Sequence, residues 1–376
     1  MHSLFHCLAR TRGRPDRHGS AGRCRCLSDL APRGAVSRFR RPGATDMDCV
    51  APFTLHRAGT AAQAAALLAS LPGARIIAGG TDLVPNLRRG IGAPQALVDV
   101  SGIAGFAAIE RDAEGWRIGA GTTLAILAAE GPIVRNLPAV AQAAAAVAGP
   151  AHRTVATLGG NLCLDTRCVF YNQSEWWRKS NDYCLKHGGD TCHVAPQGKR
   201  CHAAFSGDMA PALIALGATV EIVGPRDPRI LPLADLYSDD GAAHLRLAAD
   251  ELIAAVRIPL QPQGSRSGYR KARVRGAMDF PLAGVAMRAT FEGQRLADLR
   301  VALTGTNSRP VLLDDTDALC GAWVDEATLA ALGKRIGKQV SPMRTTVAAS
   351  NYRRQVAIVI GRRMLLSLAE SANAPG

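Results

Sequence analysis

The chain has 376 residues, 47% hydrophobic and 20% charged, with a formal net charge of +14. That length allows two or three domains with cores of their own, and no apolar run reaches the ~18–20 residues of a membrane span. Half of the excess charge falls in residues 1–46, where ten arginines face three aspartates, so the rest is not basic enough to read as a nucleic-acid-binding body.

Residues 1–46 are rich in Arg, Gly, Ser and Pro and carry no helical or strand period. They read as a disordered basic extension, or as sequence upstream of a true start at Met47. No apolar stretch followed by small residues marks a secretory signal; an Arg-rich transit peptide is the other reading. From Met47 to residue 105 the pattern alternates. Thr60 caps an alanine-rich helix over 60–68, residues 75–78 form a strand, Gly79-Gly80-Thr81-Asp82 turns the chain, and residues 96–100 form a buried strand. This predicts a small α/β subdomain over 47–105.

A second α+β subdomain is predicted over 106–262. It holds a strand at 116–121, a short helix at 124–129, and an alanine-rich helix over 137–148 that stops at Gly149-Pro150. Beyond a cysteine-rich insert at 163–205 come a helix over 210–216 and strands at 218–223 and 251–258. The remainder, 263–376, is expected to be an antiparallel sheet (strands at 282–290 and 299–303) packed by helices over 326–336 and 347–368. The fold class is α+β.

Two glycine turns stand out. Ala78-Gly79-Gly80-Thr81-Asp82-Leu83 joins a strand to a helix, and Ala156-Thr157-Leu158-Gly159-Gly160-Asn161-Leu162 is of the same type. Glycine lets backbone amides approach a pyrophosphate closely, and a helix start adds partial positive charge. Neither turn is a Rossmann fingerprint or a Walker loop. Together they fit a dinucleotide held between two subdomains.

Five of the ten cysteines lie between 163 and 201. Such clustering reads as ligation in a cytoplasmic chain rather than as a secreted disulfide framework. Cys168, Cys184, Cys192 and Cys201 lack the close pair that a zinc knuckle uses. Four separated thiolates on a wrapping loop suit the four iron corners of a [4Fe–4S] cluster. Trp176 and Trp177 are candidates to shield it. Cys163 reads as a structural thiol, and His187, His193 and His202 as bystanders. A zinc loop of a nucleic-acid-binding protein is the alternative from another class, disfavoured by the spacing.

At this point the sequence resembles a family. A-G-G-T-D-L and A-T-L-G-G-N-L look like the paired FAD loops of the molybdenum hydroxylase flavoproteins, which include the FAD domain of xanthine dehydrogenase and the medium subunit of carbon monoxide dehydrogenase. Ser206-Gly207-Asp208-Met209-Ala210-Pro211 is similar to the family's later acidic motif. Tyr269-Arg270-Lys271 and Asp279-Phe280-Pro281-Leu282-Ala283 resemble the opening of its C-terminal domain. The resemblance implies a two-subdomain FAD-binding fold of the xanthine dehydrogenase type followed by the C-terminal domain. It implies FAD contacts at Ile77, Ala78, Gly79, Gly80, Thr81, Asp82, Val147, Ala156, Thr157, Leu158, Gly159, Gly160, Asn161, Asp208 and Lys271. Asp82 and Asp208 would accept from ribityl or ribose hydroxyls.

The insert resembles one branch, the flavoprotein subunits of 4-hydroxybenzoyl-CoA reductases, and there Cys168, Cys184, Cys192 and Cys201 take the cluster-ligand roles. This implies a large molybdopterin subunit and a small two-[2Fe–2S] subunit as partners, assembled as a dimer of heterotrimers. It also implies ferredoxin as electron donor, with electrons passing through the cluster and FAD to the partners, for reductive dehydroxylation in anaerobic aromatic degradation. No catalytic residue is expected on this chain, and neither nucleic acid nor membrane as a partner. The second reading is the FAD subunit of an oxidative molybdenum hydroxylase.

Overall fold

The computed structural model describes residues 50–373 except 294 and 346. The basic extension 1–46, and the expectation made for it, lie outside the described residues.

β1 (Thr54–Arg57), β2 (Arg75–Ile77) and β3 (Ala96–Asp99) form a parallel sheet in the order β1-β3-β2. The central strand begins Ala96-Leu97-Val98, all buried, as a strand paired on both edges and covered by a helix must be. The covering helix Ala61–Ser70 starts where the Thr60 hydroxyl accepts from the Gln63 amide at 3.1 Å. Its Ala64, Ala65 and Leu68 pack with Val98 and Val100.

β4 (Ile109–Arg111), β5 (Gly115–Gly119), β6 (Thr219–Val223), β7 (Arg229–Pro232) and β8 (Leu252–Pro259) form an antiparallel sheet in the order β4-β5-β8-β6-β7. The long connection from β5 to β6 carries the helices Leu124–Ala129, Gly131–Asn136 and Pro138–Ala146, the second glycine turn, the insert and the helix Met209–Ala215. Every residue of Met209–Ala215 is buried, which explains its lack of any polar face. Gly149-Pro150 does end the alanine-rich helix region, but Pro150 also opens a one-turn helix, Pro150–Arg153, with Gly149 as its N-cap.

β9 (Ser265–Ala272), β10 (Ala283–Glu292), β11 (Arg295–Thr304) and β12 (Val311–Leu312) form the last sheet, ordered β12-β11-β10-β9. Alternate residues of its central strands serve two cores. Val285, Met287, Leu299 and Val301 face the helices Glu326–Gln339 and Ser350–Asn373, while Ala286 and Ala302 join the core around Met209 and Leu213. The small side chains on that second face let the buried helix lie close. Among the described residues no helix is long and apolar enough to cross a membrane.

The insert leaves and rejoins the body at one point. Arg167 and Ala204 pair as an isolated antiparallel bridge, each amide donating to the other's carbonyl at 2.8 Å. Its one α-helix, Glu175–Ser180, is capped by Ser174. Arg178 on that helix is 2% exposed and donates to the carbonyls of Gln173 and, at 2.9 Å, of Gly90. One guanidinium thus pins the insert to the loop that follows the helix Leu83–Arg88.

His244 sits below this neck, 7% exposed, with Nε2 donating to the Leu164 carbonyl at 3.0 Å. Burial lowers its pKa to about 4. Between pH 6.5 and 4 the unfolded chain takes up a proton that the folded one refuses. Stability is therefore full above about pH 6.5 and falls as pH drops, by an amount on the order of 3 kcal/mol at pH 4. His244→Gln keeps a donor for Leu164 and removes the titration. Urea midpoints measured at pH 7 and 5 should differ less in that variant, and an unchanged difference would refute the assignment.

Candidate functional site

The two glycine turns meet. A Cβ built on Gly79 would lie 2.0 Å from the Val155 carbonyl oxygen, so only glycine admits the backbone of 155–156 here. Gly80 has φ +67°, in the left-handed region. Among the described residues none accepts from the amides of Gly79, Gly80 or Thr81, which leaves three donors on one turn for an anionic ligand.

The second turn differs from its expected form. Gly159 and Gly160 lie inside a one-turn helix, Leu158–Leu162, capped by Thr157. The Gly159 amide donates to the Ala120 carbonyl at 2.8 Å and the Gly160 amide to the Thr157 hydroxyl at 3.1 Å. Both are engaged by the protein itself. A Cβ on Gly159 would lie 2.9 Å from the Ala120 side chain, so its first role is to let the turn lie against the end of β5. Ala156 and Leu158 also serve that packing, through bonds to Leu124 and Thr122.

Contacts lead from turn to turn around a closed circuit. Asn161 Oδ1 accepts from the Met209 amide at 3.0 Å, tying the second turn to the acidic motif. Asp208, 3% exposed, accepts from the Tyr269 hydroxyl and, at 3.0 Å, from Lys271 Nζ. Burial pushes its carboxyl up, against the pull of Lys271 and Tyr269. Lys271 donates also to the Asp279 carbonyl at 3.2 Å, and the neighbouring Phe280 ring lies 5.6 Å from the Arg167 guanidinium. Arg167 in turn pairs with Asp82 on the first turn and donates to Asn86 at 2.7 Å. Val147 stands beside the circuit, its carbonyl accepting from Arg153 at 2.8 Å. Ile77 and Ala78 lead β2 into the first turn.

The structure therefore gathers the residues named for FAD into one region. It also gives their charged side chains partners within the protein. The Asp82 carboxylate is bound by Arg167 and Asn86, and Lys271 is bound to Asp208. Arg167 and Tyr269 join the circuit without having been foreseen as site residues. Arg167 could not be found locally, since Asp82 lies 85 residues away. A cavity of about 320 Å³ lies elsewhere, between Arg135, Gln142, Arg266, Arg270, Arg288 and Ser367, and none of the expected site residues lines it.

The insert brings its four cysteines together. Cys168, Cys184, Cys192 and Cys201 line one small cavity of about 10 Å³, with Phe170, Lys186 and His193 in the same wall. Amides reach the sulfurs: Tyr171 N to Cys168 Sγ at 3.2 Å and Ala203 N to Cys201 Sγ at 3.4 Å. Burial raises the Cys201 thiol to about 11 and the Cys168 thiol above its usual value, and the Lys186 charge opposes both. Among the described residues no three His, Cys, Asp or Glu side chains come close enough to hold a single metal ion. Four thiols lining a common space are the type of donor set that a cluster with one thiolate per iron would need. The insert has only short helices, so widening the cavity would break no sheet.

Cys163 packs on the main core away from this cavity, where burial raises its thiol to about 12. Trp176 is 73% exposed and shields nothing, contrary to expectation. Cover comes from Phe170, whose ring is 6.0 Å from that of Trp177 and 5.3 Å from that of His193.

Comparison with known proteins gives this arrangement a context. Residues 51–261 match the FAD binding domain in molybdopterin dehydrogenase, and residues 267–368 the CO dehydrogenase flavoprotein C-terminal domain. The chain is 36% identical over 276 residues to the aldehyde oxidoreductase FAD-binding subunit PaoB of Escherichia coli (strain K12), covering 71% of this chain and 85% of that protein. It is 28% identical over 316 residues to the carbon monoxide dehydrogenase medium chain of Afipia carboxidovorans, covering 83% and 94%. In fold it is similar to a chain of CO dehydrogenase from Oligotropha carboxidovorans, with a TM-score of 0.71 at 24% identity over 86% of this chain and 99% of that one.

Proposed function

From the premise that this chain belongs to the FAD-binding subunits of the molybdenum hydroxylases of xanthine and carbon monoxide dehydrogenase type, we propose that it is an electron-transfer subunit carrying FAD and, in its insert, a [4Fe–4S] cluster. The observation that carries the cluster is the cavity lined by Cys168, Cys184, Cys192 and Cys201. When bound, FAD supplies one- and two-electron chemistry and the cluster one-electron chemistry.

The chain's own residues bind and orient. The amides of Gly79, Gly80 and Thr81 are the donors for the pyrophosphate. Asn161 holds the second turn against the acidic motif, and Lys271 and Tyr269 fix the Asp208 carboxylate where it can accept from the ligand's hydroxyls. The partners in this reading are a large molybdopterin subunit and a small two-[2Fe–2S] subunit, where the substrate would be transformed.

Two readings of the complex differ in the direction of electron flow. The insert's likeness to the 4-hydroxybenzoyl-CoA reductases supports reductive dehydroxylation driven by reduced ferredoxin. The 36% identity to the FAD-binding subunit of an aldehyde oxidoreductase supports oxidation of an aldehyde. Purified with its partners, the complex should yield one FAD and about four irons on this subunit beyond those of the small one. Benzoyl-CoA formed from 4-hydroxybenzoyl-CoA and reduced ferredoxin would select the first reading. Aldehyde-dependent dye reduction would select the second. Stoichiometric zinc on this subunit would refute the cluster under either.

A further inference from the structure

The cysteine cavity has one charged wall. Lys186 stands two residues after Cys184, lines the same space as all four cysteines, and has a side chain only 5% exposed. Its ammonium donates to Asp165 at 2.7 Å, to the Thr166 carbonyl at 3.1 Å and to the Thr166 hydroxyl. The nitrogen also lies 4.5 Å from the centroid of the Tyr171 ring. A buried ammonium is costly unless its charge is balanced, and Asp165 accounts for one balancing charge. All the described oxygen acceptors of the ammonium belong to Asp165 and Thr166, outside the cavity, whose other lining residues are the four cysteines, His193 and apolar side chains. An apolar side chain of similar length would close that wall with no charge to desolvate.

We propose that Lys186 and Asp165 are a positioning pair that sets the reduction potential of the group held by the four cysteines. This rests on the cluster reading above. A [4Fe–4S] core with four thiolates carries a net charge of −2 oxidised and −3 reduced, so one electron adds one negative charge. A fixed cation in the wall stabilises the reduced form more, and in a protein interior such a charge acts strongly over a few ångströms. Asp165, which pairs with the ammonium but does not line the cavity, acts with the opposite sign. Removing the cation should therefore lower the midpoint potential. Removing the anion should raise it. A merely structural role predicts no such opposition of sign.

The test uses the isolated complex, with dye-mediated potentiometric titration of the reduced cluster's paramagnetic signal in wild type, Lys186→Met and Asp165→Asn. Iron and FAD contents are measured on the same samples. The expected result is a lower midpoint in Lys186→Met, by tenfold or more in the reduction equilibrium (about 59 mV for one electron), and a higher one in Asp165→Asn. Midpoints that stay put, or move in the same direction, overturn the proposal while leaving the cluster in place. Wild type without a cluster signal and without the extra iron overturns the cluster reading itself, and this proposal with it. Should Lys186→Met fail to load iron, Asp165→Asn decides alone: an upward shift supports the pair, and any other result overturns it.

Discussion

Replacing Cys184 or Cys192 by serine should remove nearly all of the iron held by this subunit, about four atoms per chain, and leave its flavin in place. Both cysteines are buried in the wall of the shared cavity, and a cluster bound by three thiolates and a hydroxyl is far less stable. The flavin region is insulated from the change by the way the insert is attached. Its neck is closed by the Arg167–Ala204 bridge, and its helix is pinned by Arg178 to the Gly90 carbonyl, neither of which involves a cysteine side chain. Cys163→Ser should keep its iron, because Cys163 lies on the main core. Iron assayed by chelation and flavin by absorbance after acid extraction distinguish the outcomes. Retained iron in both variants, or flavin lost together with iron, would contradict the assignment.

Gly79→Val should abolish flavin binding and cost the fold several kcal/mol. The new Cβ would fall 2.0 Å from the Val155 carbonyl oxygen and 2.5 Å from its carbon, both backbone atoms that cannot yield cheaply. The two turns would be forced apart just where the unengaged amides gather. Gly160→Ala makes the contrasting case. Its Cβ meets only the Thr157 hydroxyl at 3.0 Å, so the protein should fold with a small loss of stability. Flavin content against melting temperature separates the two variants. A Gly79→Val protein that melts normally and carries a full complement of FAD would show that the turns do not form the cradle.

These contacts also show what the residues alone could reveal. Both glycine turns were visible because glycine pairs between apolar runs are a local signal. What was not visible is that the second turn spends its amides on Ala120 and Thr157. For that reason Gly159, a natural choice to test pyrophosphate binding, is first a packing residue. The alanine-rich helices, β3, β5, β6, β8 and β10 were legible from their runs or alternation. β9, Ser265–Ala272, was not, since Ser-Arg-Ser-Gly-Tyr-Arg-Lys-Ala has little apolar character. It is a strand because β10 offers it a full edge and Tyr269 a buried place beside Asp208. The four cysteines, 33 residues apart from first to last, line one cavity. Arg167, Arg178 and Lys186 were missed because their meaning lies in partners 85, 88 and 21 residues distant. Trp176 was overvalued, for a tryptophan's size says nothing of the direction in which it points.

The paired amides at Arg167 and Ala204 carry a further implication for how such a chain can change. Strands joined by an antiparallel bridge stand only ~5 Å apart, a gap that a two-residue hairpin spans. The segment between them can lengthen or shrink without parting the two strands that hold its ends. The residue at the exit, however, is also the counter-ion of Asp82. A descendant that trimmed the segment down to a tight turn would thus be free to discard its cysteines, yet would be held to an arginine at the hinge, or to a neutral residue in place of Asp82.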